Sequence, residues 1–433
     1  MATRFPHLFS PIQIGRYALR NRIVCTGHAT SFGSEGLFTE RHLHYYRERA
    51  RGGAAMIITE ATGVAPSSAV PISLHAAAVT PMLQKIAKAV HDQSALVLVQ
   101  LSHAGKRVPN PVGVPETVAV APSAIPGPGV DFAQMMPHEL STEEVADLVR
   151  AYGVAAGRAR QAGMDGVEII MAFGNLIPQF LTEASNRRTD RYGGGLEERM
   201  TFAREVVDEV RHRLGGDLIL GARFTEDFLD YGLNVKDLAQ IVPLLVDTGK
   251  LDYVSIAAGT RYERKSATHI IPSHYFEPGQ FAGLARRLKD LVAVPVIGVG
   301  RINSPALAER LVADGEMDLV GMVRELIADP ELPNKARTGR VEDIRTCLAC
   351  NQGCKGHQER GVPITCIYNP VAGREKAWAD LPPAALAKRV AVVGAGPAGL
   401  ETARVAAERG HRVVVYEKSD RLGGQVNLAM AAP

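Results

Sequence analysis

The sequence predicts an α/β protein: a (β/α)8 TIM barrel, then an iron-sulfur segment, then the start of a Rossmann-like adenine-nucleotide-binding domain. Three observations predict it. Between Ile23 and Met322, short apolar runs alternate with amphipathic, capped helical stretches, the pattern of a parallel sheet covered by helices. Four cysteines follow between Cys347 and Cys366, and after them a G-x-G-x-x-G closes one apolar run and opens a helix.

The expected barrel strands are R-I-V-C-T, A-A-M-I-I-T, A-L-V-L-V-Q-L, G-V-E-I-I, L-I-L-G-A-R, Y-V-S-I-A, V-P-V-I-G-V and L-V-G-M-V. Helix starts are legible between them. Ser141 to Glu144 forms a capping box, and Ser304-Pro305 places an N-cap before a proline at the first helical position. An open doubly wound sheet is the alternative architecture. Polar residues gather at strand C-terminal ends, where barrel enzymes place their chemistry: Gln100 ends the third strand, followed by Ser102 and His103, and Arg223 ends the fifth. Gly300 and Arg301 follow the seventh strand and Arg324 the eighth, positions where barrels bind phosphate through loop amides and cations. A phosphate-bearing cofactor is therefore expected.

Cys347, Cys350, Cys354 and Cys366 are spaced C-x2-C-x3-C-x11-C, which brings three thiolates from one turn and a fourth from a returning segment. This crowding favours a metal site over a disulfide framework. Structural zinc usually shows two C-x2-C pairs, whereas a compact three-cysteine run suits an iron-sulfur cluster. Past this segment the chain turns charged and rich in alanine and proline, as a connector would. Gly394, Gly396 and Gly399 then follow the strand R-V-A-V-V, and Glu417 ends the strand R-V-V-V-Y 18 positions after the third glycine. In that setting the glycines let the backbone approach a pyrophosphate at a helix N-terminus, and the acid takes ribose hydroxyls.

The bulk numbers agree with this plan. A 433-residue chain with 46% hydrophobic and 22% charged residues is long enough for several domains with ample core. A net charge of +3 and the lack of basic blocks argue against nucleic acid, and no apolar run suits a membrane span. The N-terminus lacks a hydrophobic signal segment, which with metal-spaced cysteines points to the cytoplasm. The expected divisions are barrel 1-340, cluster segment 341-371, connector 372-388 and nucleotide-binding start 389-433.

The motifs F-S-P-I-Q-I-G-x(4)-L-R-N-R-I-V, Q-F-L-T-E-A-S-N-R-R-T-D-R-Y-G-G-G-L-E-E-R and V-V-G-A-G-P-A-G-L with its later R-L-G-G-Q, together with the cysteine spacing, resemble the iron-sulfur flavoenzymes of the Old Yellow Enzyme class. That class includes 2,4-dienoyl-CoA reductase and trimethylamine dehydrogenase, and the likeness spans essentially the whole chain. It implies FMN on the barrel, held by Cys25, Thr26, Gly27, Ala61, Gln100, Arg223, Gly300, Arg301 and Arg324. A 4Fe-4S cluster on the four cysteines is implied as well. FAD or ADP would sit at Gly394, Gly396, Gly399, Glu417 and Gln425 in a full-length form, with NAD(P)H as electron donor.

The departures concern the substrate. Ile170 and Phe173 stand where many relatives carry a histidine pair, and Asn175 where they carry a proton-donating tyrosine. Replacement candidates are Tyr262, Arg261, His269, His28 and His103. Ala61 and Ala29 occupy what resemble the aromatic-cage and flavin-attachment positions of trimethylamine dehydrogenase, and the single tryptophan, Trp378, lies in the connector, so a tryptophan-built cage is excluded. The stretch from Leu251 to Phe281 resembles the branch that demethylates N-methylated amino acids. The leading expectation is NAD(P)H-driven reduction of an activated C=C bond, such as an enoyl or dienoyl thioester. Its alternatives are oxidative N-demethylation and a non-catalytic redox-sensing or scaffold role. Partners would be a small-molecule substrate and either a second copy or an electron-transfer protein. Because one βαβ start cannot cover both faces of its sheet, the last stretch is expected to be incomplete, loosely packed and weak in nucleotide binding.

Overall fold

The computed structural model describes residues 4-107, 118-127 and 136-430. Eight parallel strands close into a barrel: β1 (Ile23–Cys25), β2 (Met56–Gly63), β3 (Leu96–Ser102), β4 (Gly166–Met171), β5 (Ile219–Glu226), β6 (Tyr253–Ala258), β7 (Val296–Gly298) and β8 (Leu319–Gly321). Closure is direct, with β8 pairing β1 through Val320 and Ile23, and β1 pairing β2 through Val24 and Met56. Each expected run supplies one strand. The open-sheet alternative fails because the first and last strands find each other.

The principal helices between and after the strands are α1 (Glu40–Arg51), α2 (Thr80–His91), α3 (Thr142–Gln161), α4 (Leu196–Leu214), α5 (Val235–Val246), α6 (Ala282–Lys289), α7 (Pro305–Ala313) and α8 (Leu332–Arg337). Both helix starts read from sequence form. In α3 the Glu144 N–H donates to Ser141 Oγ at 3.2 Å while the Ser141 N–H donates to Glu144 Oε2 at 2.7 Å, and in α7 the Leu307 N–H donates to Ser304 Oγ at 3.2 Å.

Two apolar layers follow from the alternation of each strand. The larger lies between strands and helices. A smaller one fills the barrel's N-terminal end, where Ile14 and Leu19 of a hairpin (Ile12–Ile14 with Tyr17–Leu19) pack with Met56, Leu98, Ile219 and Leu319. The hairpin thus closes the bottom and leaves the C-terminal mouth as the open end. In β2 the register slips between Ile58, opposite Leu98, and Ala61, opposite Gln100. Such a bulge re-aims the side chains that follow it, here at the mouth.

The long Q-F-L-T-E-A-S-N-R-R motif works as a clamp beside that mouth. Asn186 donates to the carbonyls of Phe180 and Tyr192 at 2.8 and 2.7 Å, and Arg188 pairs with Asp190 while also reaching the Pro122 carbonyl.

Residues Met1–Glu375, which include the cysteine segment, form one compact unit and Lys376–Pro433 a second. The division falls inside the expected connector. In the second unit β9 (Arg389–Val393) pairs in parallel with β10 (Arg412–Tyr416), and α9 (Pro397–Glu408) joins them. Val393, Val414 and Tyr416 on this two-stranded sheet are exposed. Among the described residues no helix is long and apolar enough to cross a membrane.

Candidate active site

The mouth of the barrel is organised around a buried carboxylate that the apolar run G-V-E-I-I carries in plain sight. Glu168 is fully buried in β4, where its Oε1 accepts from Gln100 Nε2 at 2.5 Å and its Oε2 accepts from the Tyr253 hydroxyl at 3.0 Å. Burial raises its pKa, and nearby Arg223 opposes the rise. Gln100 in turn covers Gly27: a Cβ there would fall 2.7 Å from the glutamine amide, so only glycine leaves room. Cys25 and Thr26, at the end of β1, are both buried, and burial pushes the Cys25 thiol up to about 12. Ala61 of β2 sits opposite Gln100 of β3.

Arg223 ends the same layer. Its guanidinium is buried, with Nε and Nη1 lacking any hydrogen-bond partner among the described residues, and it lies 5.7 Å from the centroid of Phe173. Burying an arginine with unmade donors is costly unless an acceptor fills the space. A flavin ring, with carbonyl oxygens and a ring nitrogen that gains negative charge on reduction, fits that donor set. On the far side of the mouth Gly300 and Arg301 form a left-handed turn, with φ of 130° and 55°, and Arg301 Nε is also buried with no partner among the described residues. Arg324 Nη1 donates to the Pro272 carbonyl at 2.6 Å and to Asn351 Oδ1 at 2.8 Å, joining the region after β8 to the cysteine segment.

The histidines beside this layer have both ring nitrogens occupied. His28 donates from Nδ1 to the Thr26 carbonyl at 2.9 Å and accepts from the Tyr45 hydroxyl at 2.7 Å, and burial pulls its pKa down to about 4. In His103, Nδ1 accepts from the Gly105 N–H at 3.0 Å, leaving Nε2–H to donate to Ser67 at 3.0 Å; burial takes it to about 3. Both are neutral near pH 7. Tyr262 is buried, donates its hydroxyl to the Gly174 carbonyl at 2.9 Å, and has its pKa raised by burial. His269 joins an aromatic group, stacked at 4.7 Å on Phe228, with Phe276 and Phe281 at 5.2 and 5.7 Å.

Asn175 is buried and carries two contacts: its amide donates to Ser102 Oγ at 3.3 Å, and its Oδ1 accepts from Arg107. Arg107 and its neighbour Lys106 went unread in the sequence, although H-A-G-K-R directly after a barrel strand is a place to look for cations. Burial takes Lys106 down to about 8 and, with Arg261 nearby, Arg107 to about 9. Asp227, just past β5, is pushed by burial to about 7, although the Leu233 N–H and the Thr225 hydroxyl both donate to it.

All four cysteines of the C-x2-C-x3-C-x11-C set line one small cavity with Arg324, Asn351 and Gly353. Backbone N–H groups already point at two sulfurs, Ala349 to Cys347 at 3.4 Å and Tyr368 to Cys366 at 3.3 Å. Among the described residues no three His, Cys, Asp or Glu side chains converge on one point as a single ion needs. The four thiols give this cavity a soft, all-sulfur donor set, the ligand type used both by iron-sulfur clusters and by structural zinc.

In the second unit the glycine loop and acidic strand end meet. A Cβ on Gly399 would lie 1.9 Å from the Gly394 carbonyl oxygen, so α9 packs this close to β9 only with glycine there. Gly396 is the helix N-cap. Glu417 accepts from the Ala395 N–H at 2.7 Å and from Ser419 N at 3.0 Å, and these bonds lower its pKa. Gln425 directly precedes the last helix, Val426–Met430.

Comparison with known proteins agrees with this layout. Residues 7-343 match the model of the NADH:flavin oxidoreductase / NADH oxidase family, and residues 392-429 match an NAD(P)-binding Rossmann-like domain. A metal reductase of Desulforamulus reducens is 41% identical over 98% of this chain and 63% of its own length. An N,N-dimethylglycine/sarcosine dehydrogenase of Chromohalobacter salexigens is 35% identical over 99% of this chain and 62% of its own. The chain thus spans somewhat under two thirds of these relatives. A solved 2-naphthoyl-CoA reductase complex superposes with a TM-score of 0.90 at 33% identity, over 99% of this chain and 67% of that one. With its closed barrel and the donors gathered at the mouth, the chain belongs to the NADH:flavin oxidoreductase / NADH oxidase family of oxidoreductases.

Proposed function

We propose that this chain carries the FMN- and iron-sulfur-bearing part of an oxidoreductase that reduces a C=C bond activated by a neighbouring carbonyl group. The observation that carries the reading is Arg223, a buried guanidinium with two unmade donors beside the Gln100–Glu168 pair. Cys25, Thr26, Gly27, Ala61, Gln100 and Arg223 would hold the flavin ring, and Gly300, Arg301 and Arg324 its phosphate. FMN would supply two-electron hydride chemistry at the mouth, and a 4Fe-4S cluster on Cys347, Cys350, Cys354 and Cys366 would supply single-electron transfer. Gly394, Gly396, Gly399, Glu417 and Gln425 would receive FAD or ADP, with NAD(P)H as the electron source.

The protein's own contribution is electrostatic. Arg223 compensates negative charge in a water-poor layer where a cation acts strongly, and Glu168 fixes Gln100 with its amide directed away from solvent. His28 and His103, neutral and internally bonded, support the layer rather than deliver protons. Lys106, drawn toward neutrality by burial, and Tyr262 are the groups near Asn175 able to give a proton.

A second reading is oxidation of an N-methylated amino acid. It is favoured by the Phe228, His269, Phe276 and Phe281 group, whose faces suit a methylated cation, and by the similarity to the dimethylglycine/sarcosine dehydrogenase. A stopped-flow experiment separates the two. Dithionite-reduced, FMN-loaded protein is mixed anaerobically with trans-cinnamate and, separately, with an enoyl-CoA ester, and rapid return of flavin absorbance is expected with at least one of the two. Bleaching of the oxidised protein by N,N-dimethylglycine, with no reoxidation by any alkene, would transfer the assignment to the second reading.

A further inference from the structure

We infer that Arg107 is the anchor for a free carboxylate on the substrate, which makes the substrate a small acid, unsaturated or N-methylated, instead of a thioester or a simple amine. This rests on reading the barrel mouth as the place where substrate meets flavin.

Arg107 has its Nη2 on the neutral Asn175 Oδ1, while its Nε is buried with no partner among the described residues. Among the described residues Lys106, 8% exposed, donates to two neutral oxygens, Ser185 Oγ at 3.2 Å and the Ile125 carbonyl at 3.5 Å. Arg261 adds a third positive charge close by. Among the described residues no carboxylate pairs with Lys106 or Arg107. Buried cations are retained when something offsets them, and leaving one unpaired costs several kcal/mol. Among the described residues no side chain supplies that partner, and an anionic ligand would. A guanidinium with an unmade donor is the side chain best suited to bind a carboxylate.

Placement supports the assignment. Asn175 ties Arg107 to Ser102, which lies two residues beyond Gln100 on the same face of β3. That spacing is about 7 Å along a strand, so the anchor stands one layer above the glutamine assigned to the flavin. It also gives Asn175 a purpose: the amide orients the arginine.

The test is calorimetric titration of FMN-loaded protein with two matched pairs: trans-cinnamate against cinnamamide, and N,N-dimethylglycine against its amide. Wild type is expected to prefer the acid in at least one pair by about tenfold or more. Arg107→Gln should weaken that acid roughly 30-fold, as expected for truncating a desolvated charge pair, and change the amide less than about threefold, with Arg107→Lys recovering part of the loss. No acid preference in either pair, or equal losses for acid and amide in Arg107→Gln, would overturn the inference. If the glutamine variant fails to fold or to hold FMN, the wild-type preference decides alone. Heat of binding is independent of turnover. An acid that binds through Arg107 without reoxidising or bleaching the flavin would therefore sink the oxidoreductase reading of the mouth and leave the anchor standing.

Discussion

Gln100 and Glu168, from adjacent strands, are joined by a 2.5 Å hydrogen bond that fixes the glutamine amide directly over Gly27. Gly27→Ala would put a methyl group 2.7 Å from that amide, and Gln100 could move only by abandoning a buried carboxylate. The variant should stay folded, lose about 1–3 kcal/mol of stability as overpacked sites do, and retain FMN at least tenfold less well by ultrafiltration. Undiminished FMN retention would show that Gln100 is not part of the flavin's seat.

Arg324 bonds both the Pro272 carbonyl and Asn351. Arg324→Ala is expected to weaken FMN by about 10- to 100-fold, the scale of a lost charge-assisted phosphate contact, and to speed hydrogen exchange around Cys347 to Cys354. If exchange rises while FMN affinity holds, Arg324 braces the cysteine segment and does not meet the phosphate.

Cys350→Ala removes one of four thiols around the shared cavity. In anaerobically prepared protein, iron, acid-labile sulfide and the broad visible absorption should fall together. Stoichiometric zinc without iron in the unsubstituted protein would instead support a structural ion.

Asp227 has a folded-state pKa near 7 because it is buried, well above the ordinary unfolded value of about 3.9. Between those values the folded state holds more protons than the unfolded state, so this group makes stability fall as pH rises from about 4 to 7, with no further change above. Asp227→Asn keeps the acceptor for the Leu233 N–H and removes the titration. Relative to wild type it should gain on the order of 2–4 kcal/mol between pH 4.5 and pH 8 in urea unfolding; parallel pH profiles for the two proteins would rule this origin out.

Much of the architecture can be read along the chain. The eight strands, the caps at Ser141 and Ser304, the cysteine spacing and the glycine fingerprint each depend on residues near one another in sequence, where periodicity and local hydrogen bonding act directly. The sequence also marked Gln100, Arg223 and Arg324, although it expected the first two at strand ends and the strands run on past them to Ser102 and Glu226. What it could not supply was which side chains from different strands would meet. Glu168 looks like an interruption in an apolar run until β3, β5 and β6 bring Gln100, Arg223 and Tyr253 around it. His28 and His103 look like acids until the fold occupies both nitrogens of each ring, and Asn175 looks like a lost proton donor until Arg107 comes to rest on it. Local pattern records only whether a position is buried, whereas the chemistry of a buried polar group is set by partners that the closure of the barrel, and nothing nearer in sequence, brings within hydrogen-bond reach.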